Sequence, residues 1–250
     1  METKENAPQK ERCLLFRFGK VDIRTTKREE IKFERAIPEW SARFQVNKQL
    51  YVCGGKRQVN GQPDRVASFF SLDYSGKSRT LQSMEYKRDA LSLSGHSKEL
   101  MALGGWDGKN LKIGEKYLVS VNKWVELPPL NIGRHFPGSL LLKSRRAFCF
   151  CGSHGPQNRV NSIESIQLAW EGEWKTLPLN GKIAKTYHLA AVPYLSRVML
   201  FGGASHASYN MYKLDEEGNL LEDLSGDPLI PGAMCQGSFV VEEGKLYAMG

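Results

Sequence analysis

The chain has 250 residues, with 35 Lys+Arg against 27 Asp+Glu for a net charge of +8, 41% apolar and 10% aromatic residues, 24 Gly, 11 Pro and 5 Cys. Charged residues at 25% and an odd, scattered set of cysteines exclude collagen-like, low-complexity and disulfide-scaffold classes, leaving one globular domain or at most two. The basic excess is dispersed in dipeptides such as Lys27-Arg28 and Arg145-Arg146, which fits a solvated surface better than a nucleic-acid or membrane patch.

In chain order, residues 1–12 form a polar tail with no apolar leader segment, and nothing later is long enough to span a membrane. Free cysteines fit a reducing compartment, so the cytoplasm is the expected location. Residues 13–18 and 30–36 predict two strands, followed by short apolar runs at 43–46, 66–72, 91–94, 117–121, 160–168, 189–192 and 239–241, each bounded by turn residues. Five further apolar strings end in glycine: Leu50-Tyr51-Val52-Cys53-Gly54-Gly55, Leu100-Met101-Ala102-Leu103-Gly104-Gly105, Phe148-Cys149-Phe150-Cys151-Gly152, Met199-Leu200-Phe201-Gly202-Gly203 and Leu246-Tyr247-Ala248-Met249-Gly250. The pair begins at 54, 104, 151, 202 and 250, so the steps are 50, 47, 51 and 48 residues. Gly54, Gly55, Gly104, Gly105, Gly152, Gly202, Gly203 and Gly250 are therefore structural, supplying positive φ where the chain leaves a sheet. In phase with them, Trp124 and Trp174 each open a Trp-x-x-Leu-Pro element and are assigned as inward structural anchors. About four strands fit each period, which is the pattern of a β-propeller blade.

The best copy runs Gly104-Gly105-Trp106-Asp107-Gly108, then Tyr117, then Trp124-Val125-Glu126-Leu127-Pro128 and on to Arg134. With its double glycine, tyrosine, spaced tryptophan and arginine it resembles the kelch-repeat family, and the resemblance covers the chain from Leu14 onward. In the other copies Cys151 replaces the first glycine, Ser78 and Leu221 replace the tryptophan, and Lys185 stands near the arginine's place. The resemblance implies an all-β kelch-type propeller of four-stranded antiparallel blades. Its repeats would cover 41–88, 89–135, 136–187 and 188–236, with a closing blade built from 237–250 and 13–37. That makes 13–250 one domain of five blades, in which N- and C-terminal strands share a sheet and remove its exposed edge. Kelch propellers usually have six blades, and a further repeat of about 50 residues would supply the sixth.

Chemistry-bearing motifs are scarce. No pair of histidines has zinc-binding spacing, and Cys149-x-Cys151 lacks a second pair, so both cysteines are expected to pack on one strand face between blades. No P-loop, nucleophile elbow or dinucleotide fingerprint occurs. The iron site of the plant specifier proteins is excluded because Leu93 stands where Glu85 and Asp89 would need a histidine. No metal or cofactor is expected.

The resemblance places two sets of loops on one face of the ring, where partners dock. The loops between second and third strands give Lys56, Arg57, Trp106, Asp107, Lys109, His154, Asn158, Arg159, Ser205 and His206; the inter-blade loops give Lys87, Arg88, Arg134, His135, Lys185, Tyr187 and His188. Basic and aromatic groups converging there suit an acidic segment of a protein partner. For each residue the competing reading is a loop brace made by backbone hydrogen bonds. The expected function is thus a monomeric, non-enzymatic protein-interaction module. The alternative is an enzyme acting on a small anionic sugar, like the kelch-type sialic-acid mutarotases, with Arg134 holding the carboxylate.

Overall fold

The structure, a computed structural model, describes residues 13–16, 33–155, 158–168, 172–177, 187, 189–194, 197–202, 210–223, 238–242 and 245–249. Every regular element among them is a β-strand. First comes β1 (Cys13–Phe16). Next are β2 (Ala42–Val46) and β3 (Gln49–Cys53), an inserted hairpin of β4 (Lys56–Val59) and β5 (Gln62–Arg65), then β6 (Phe69–Asp73) and β7 (Ser78–Thr80). They are followed by β8 (Ser92–Gly95), β9 (Glu99–Leu103), β10 (Gly114–Leu118), β11 (Lys123–Leu127), β12 (Gly138–Leu141), β13 (Arg146–Phe150), β14 (Ile163–Gln167) and β15 (Lys175–Leu177). The last are β16 (Leu189–Tyr194), β17 (Arg197–Gly202), β18 (Asn210–Leu214), β19 (Leu220–Asp223), β20 (Ser238–Glu242) and β21 (Lys245–Met249).

The sheets are β2-β3-β6-β7, β8-β9-β10-β11, β12-β13-β14-β15 and β16-β17-β18-β19, all antiparallel, and a three-stranded sheet β1-β21-β20. The innermost strands β2, β8, β12, β16 and β20 touch in succession, and β20 touches β2 again, so they enclose an axis. This is an all-β propeller. It has four complete four-stranded blades among the described residues, not the five counted from the sequence, because the remaining sheet has three strands. The expected pairing of first with last strands is present, Cys13 opposite Met249 through Phe16 opposite Leu246. Residues 33–36, by contrast, form no strand: Glu34 N–H donates to Gly76 O at 3.1 Å, the Arg35 guanidinium lies 4.1 Å above the Phe70 ring, and the segment runs along blade 1.

Each blade buries both faces, and the strand alternation sorts its side chains between neighbours. On β9, Leu100 and Ala102 pack with Cys53 and Phe69 of blade 1, while Met101 and Leu103 pack with Ala147 and Cys149 of blade 3. On β13, Phe148 and Phe150 face the Val198 and Leu200 side of blade 4. Cys149 and Cys151 are both buried, but on opposite sides of blade 3: Cys151 lies past the strand end at φ 49°, which turns it toward the Phe150 side. The expectation of one shared face therefore fails. The strand predicted at 117–121 is shifted too, since β10 ends at Leu118 and Asn122, at φ 51°, makes the turn.

Trp124 and Trp174 occupy the predicted anchor positions on and just before the outer strands of blades 2 and 3. Both are buried, and their indole N–H groups donate to Gln82 O and Pro128 O, each at 2.8 Å, in the loops that lead into those blades. Phe69 and Tyr117 meet the Trp124 ring at 5.0 and 5.2 Å.

Candidate functional site

The inter-blade linkers build the loop face by one repeated device. Glu39 and Lys56 exchange backbone hydrogen bonds of 3.0 and 2.8 Å, Asp89 and Trp106 of 3.1 and 2.8 Å, and His135 and Ser153 of 2.9 and 2.8 Å. Each pair pins a linker to the loop after the second strand of the blade it enters. The residue that follows in each linker has positive φ: Trp40 at 54°, Ala90 at 53° and Phe136 at 51°. Ala90 N–H donates to Trp40 O at 2.9 Å and Phe136 N–H to Ala90 O at 2.6 Å, so a backbone chain runs from linker to linker round the axis.

Beneath this layer sit the two arginines. Arg88 is fully buried, donates to Gly104 O at 2.8 Å and Ile113 O at 2.9 Å, and pairs with Glu115 on β10 at 2.8 Å. Arg134 repeats the arrangement, donating to Cys151 O at 2.7 Å and Ser162 O at 3.1 Å and pairing with Glu164 on β14. Each carboxylate also accepts linker N–H groups: Glu115 from Glu85, Glu164 from Asn131 and Ile132. Burial pulls Arg88 below its ordinary value, the Glu115 charge opposing it, and burial pushes Glu115 up against the charge of Arg88. Arg88 and Arg134, expected on the binding face, are inter-blade braces with no exposed surface. The equivalent carboxylate sites of blades 1 and 4 hold Phe70 and Tyr212, which pair across from Val52 and Leu200 as Glu115 and Glu164 pair across from Ala102 and Cys149.

Above the braces lies an aromatic row. Trp40 and Phe136, from linkers two blades apart, meet edge to face at 5.7 Å, which places them over the axis. Phe136 continues to Tyr187 at 6.2 Å and to His135 at 5.2 Å, and His135 to Trp106 at 5.5 Å. Lys56 Nζ stands 3.7 Å from the Trp40 ring centre, and the Arg159 guanidinium 5.2 Å from that of Tyr187. His135 Nδ1 lies 2.6 Å from Asn110 Oδ1, so with Nδ1–H donating, Nε2 is left as the acceptor. Burial holds His135 below the usual imidazole value, and nearby His154 adds to the effect.

Of the remaining sequence-assigned residues, Arg57, Lys87, Asp107, Lys109, His154, Asn158 and Arg159 are exposed, while Trp106, His135 and Tyr187 are half-buried. Lys185, His188, Ser205 and His206, with Gly203 and Gly250, lie outside the described residues. Gly54, Gly55, Gly104, Gly105, Gly152 and Gly202 have positive φ as expected. Trp40, Phe136, Arg65 and Asn110 are face residues that motif transfer missed. The signal for Phe136 is its position two residues after Arg134, the place that Tyr187 holds after Lys185.

Asp89 is buried, receives Arg65 Nε at 3.0 Å, and is raised by burial against the charges of Arg65 and Lys56. An open groove of about 700 Å³ on the outer side of blade 2, between Gln82, Tyr86 and Trp124, contains none of the residues assigned to partner binding. Among the described residues no group of three or more His, Cys, Asp and Glu is placed to hold a metal ion, and no helix is long and apolar enough to cross a membrane.

No family model matches the chain, and no curated protein matches it. Among solved structures, that of YjhT is similar to it, with a TM-score of 0.61 and 15% identity over 86% of this chain and 72% of that one. This likeness bears on the fold alone and agrees with the propeller.

Proposed function

We propose that the chain is a kelch-type propeller that works as a non-enzymatic, monomeric interaction module of the cytoplasm, holding an acidic segment of a protein partner on its loop face. The observation that carries this reading is the aromatic row Trp40, Phe136 and Tyr187 with Lys56 and Arg159 on its flanks. Aromatic groups set among cations in a shallow surface favour an extended acidic chain, because desolvated aromatic area supplies affinity and the charges supply orientation. The double glycines and the Arg88 and Arg134 positions support the kelch assignment. The anionic-sugar alternative loses its main support, since Arg134 is enclosed by Glu164 and two carbonyls.

The test is a pull-down at physiological salt with the intact chain and with the double variant Arg57→Gln, Trp40→Ala as baits. A partner retained by the first bait, lost by the second and released by raised salt is the expected result. A partner held equally by both, or release by a small anionic sugar, overturns the reading.

A further inference from the structure

Lys56 is held from two sides. Its ammonium lies 3.7 Å from the Trp40 ring centre and 3.7 Å from Glu39 Oε2. The backbones are fixed by the paired hydrogen bonds between Glu39 and Lys56, so the cation's place does not depend on the carboxylate. The Lys56 side chain is 16% exposed and the Glu39 side chain 63%. A nearly covered cation thus meets solvent through a loosely held carboxylate, beside an indole that is itself 44% exposed. Other charges near Lys56 do not replace Glu39: Asp89 is buried and bonded to Arg65, and Arg57 on the same hairpin is exposed and basic.

We infer that Glu39 is an internal stand-in for the ligand: a partner's Asp or Glu carboxylate displaces it from Lys56, while the apolar side chain next to that acid lies on the open surface of Trp40 and Phe136. This rests on the interaction-module reading and specifies its ligand as an acidic residue adjacent to an apolar one. Glu39 then acts as a positioning and selectivity residue. It neutralises Lys56 in the free protein, and only a ligand that adds apolar contact on Trp40 to its own carboxylate displaces it. Lys56 is staged on the ring beforehand, so binding does not require a flexible ammonium to be ordered.

The experiment pans a random-peptide phage library on the folded chain and titrates the recovered peptide against the wild type, Glu39→Gln, Lys56→Gln and Lys56→Arg, with melting temperature as a control on folding. Expected are peptides carrying an acid beside an apolar residue. Affinity should rise about twofold to fivefold for Glu39→Gln, the range of an exposed ion pair. It should fall about tenfold for Lys56→Gln and be largely kept by Lys56→Arg. Unchanged or weaker binding to Glu39→Gln, or indifference to Lys56→Gln, overturns the stand-in role while leaving the loop-face reading intact if Arg57→Gln, Trp40→Ala still abolishes binding. Peptides without acids, peptides indifferent to every one of these substitutions, or no recovered peptide overturn both.

Discussion

Arg88 and Glu115 meet at 2.8 Å with essentially no surface left to water, joining the linker into blade 2 to that blade's third strand. Removing one partner leaves the other charged and buried. Arg88→Met or Glu115→Leu alone should therefore cost about 3–5 kcal/mol, whereas the two combined should cost less than the single changes added. Urea unfolding of the three variants decides it. Strict additivity would show that the pair is not a coupled brace.

Gly104 and Gly108 lie four residues apart, both at positive φ, but only one is enclosed. A Cβ on Gly104 would stand 2.5 Å from Arg134 O, the carbonyl of the next linker, while one on Gly108 meets nothing within 4 Å. Gly104→Ala should lower the melting temperature far more than Gly108→Ala, whose cost is the backbone strain of about 1 kcal/mol alone. Equal shifts in a thermal melt would contradict the close approach of linker and blade.

Trp124 and Trp174 separate packing from hydrogen bonding. Replacement by Ala should cost about 3–5 kcal/mol through the cavity left behind. Replacement by Phe should recover much of that and keep a deficit near 1 kcal/mol for the stranded carbonyls of Gln82 and Pro128. A Phe variant as unstable as the Ala variant would place the whole effect elsewhere.

His135 is neutral by preference in the folded state, burial and His154 holding it below its ordinary value of 6.5. The unfolded chain takes up that proton more readily, so this contribution to stability is complete above about pH 6.5 and is lost as the pH falls toward the folded-state value. Denaturation midpoints near pH 5.5 and 7.5 should differ by less in His135→Gln than in the parent. An unchanged difference would remove His135 from the pH response.

Much of the fold is legible in the sequence because its markers are backbone necessities. Gly54 and Gly104 sit where φ is positive and a neighbouring carbonyl leaves no room for a side chain, and the spacing of such sites is the blade period. The candidate site is less legible. An arginine in a loop suggests surface charge, and nothing local reveals that Arg88 is neutralised by a glutamate 27 residues later, or Arg134 by one 30 residues later. Trp40 precedes the first complete repeat, so motif transfer had no copy to align it with. Its membership in the face follows from a contact with Phe136 that only the closed ring creates. Cys151 shows the same limit at the scale of one residue, a single left-handed φ sending its side chain to the other side of the blade.

The antiparallel match of β1 with β21 joins residues 13–16 to residues 246–249 across all four complete blades. Contacts of such long sequence separation raise the contact order and slow folding, because a loop of nearly the whole chain must close before they form. On the ribosome the four blades emerge and stack in order, yet the β20-β21 hairpin and its β1 partner meet only after β21 has emerged. Until then β1 has no strand partner, which is the stage most exposed to strand addition by another nascent copy. Ring closure accordingly waits on the β20-β21 hairpin, the element farthest along the chain from its β1 partner.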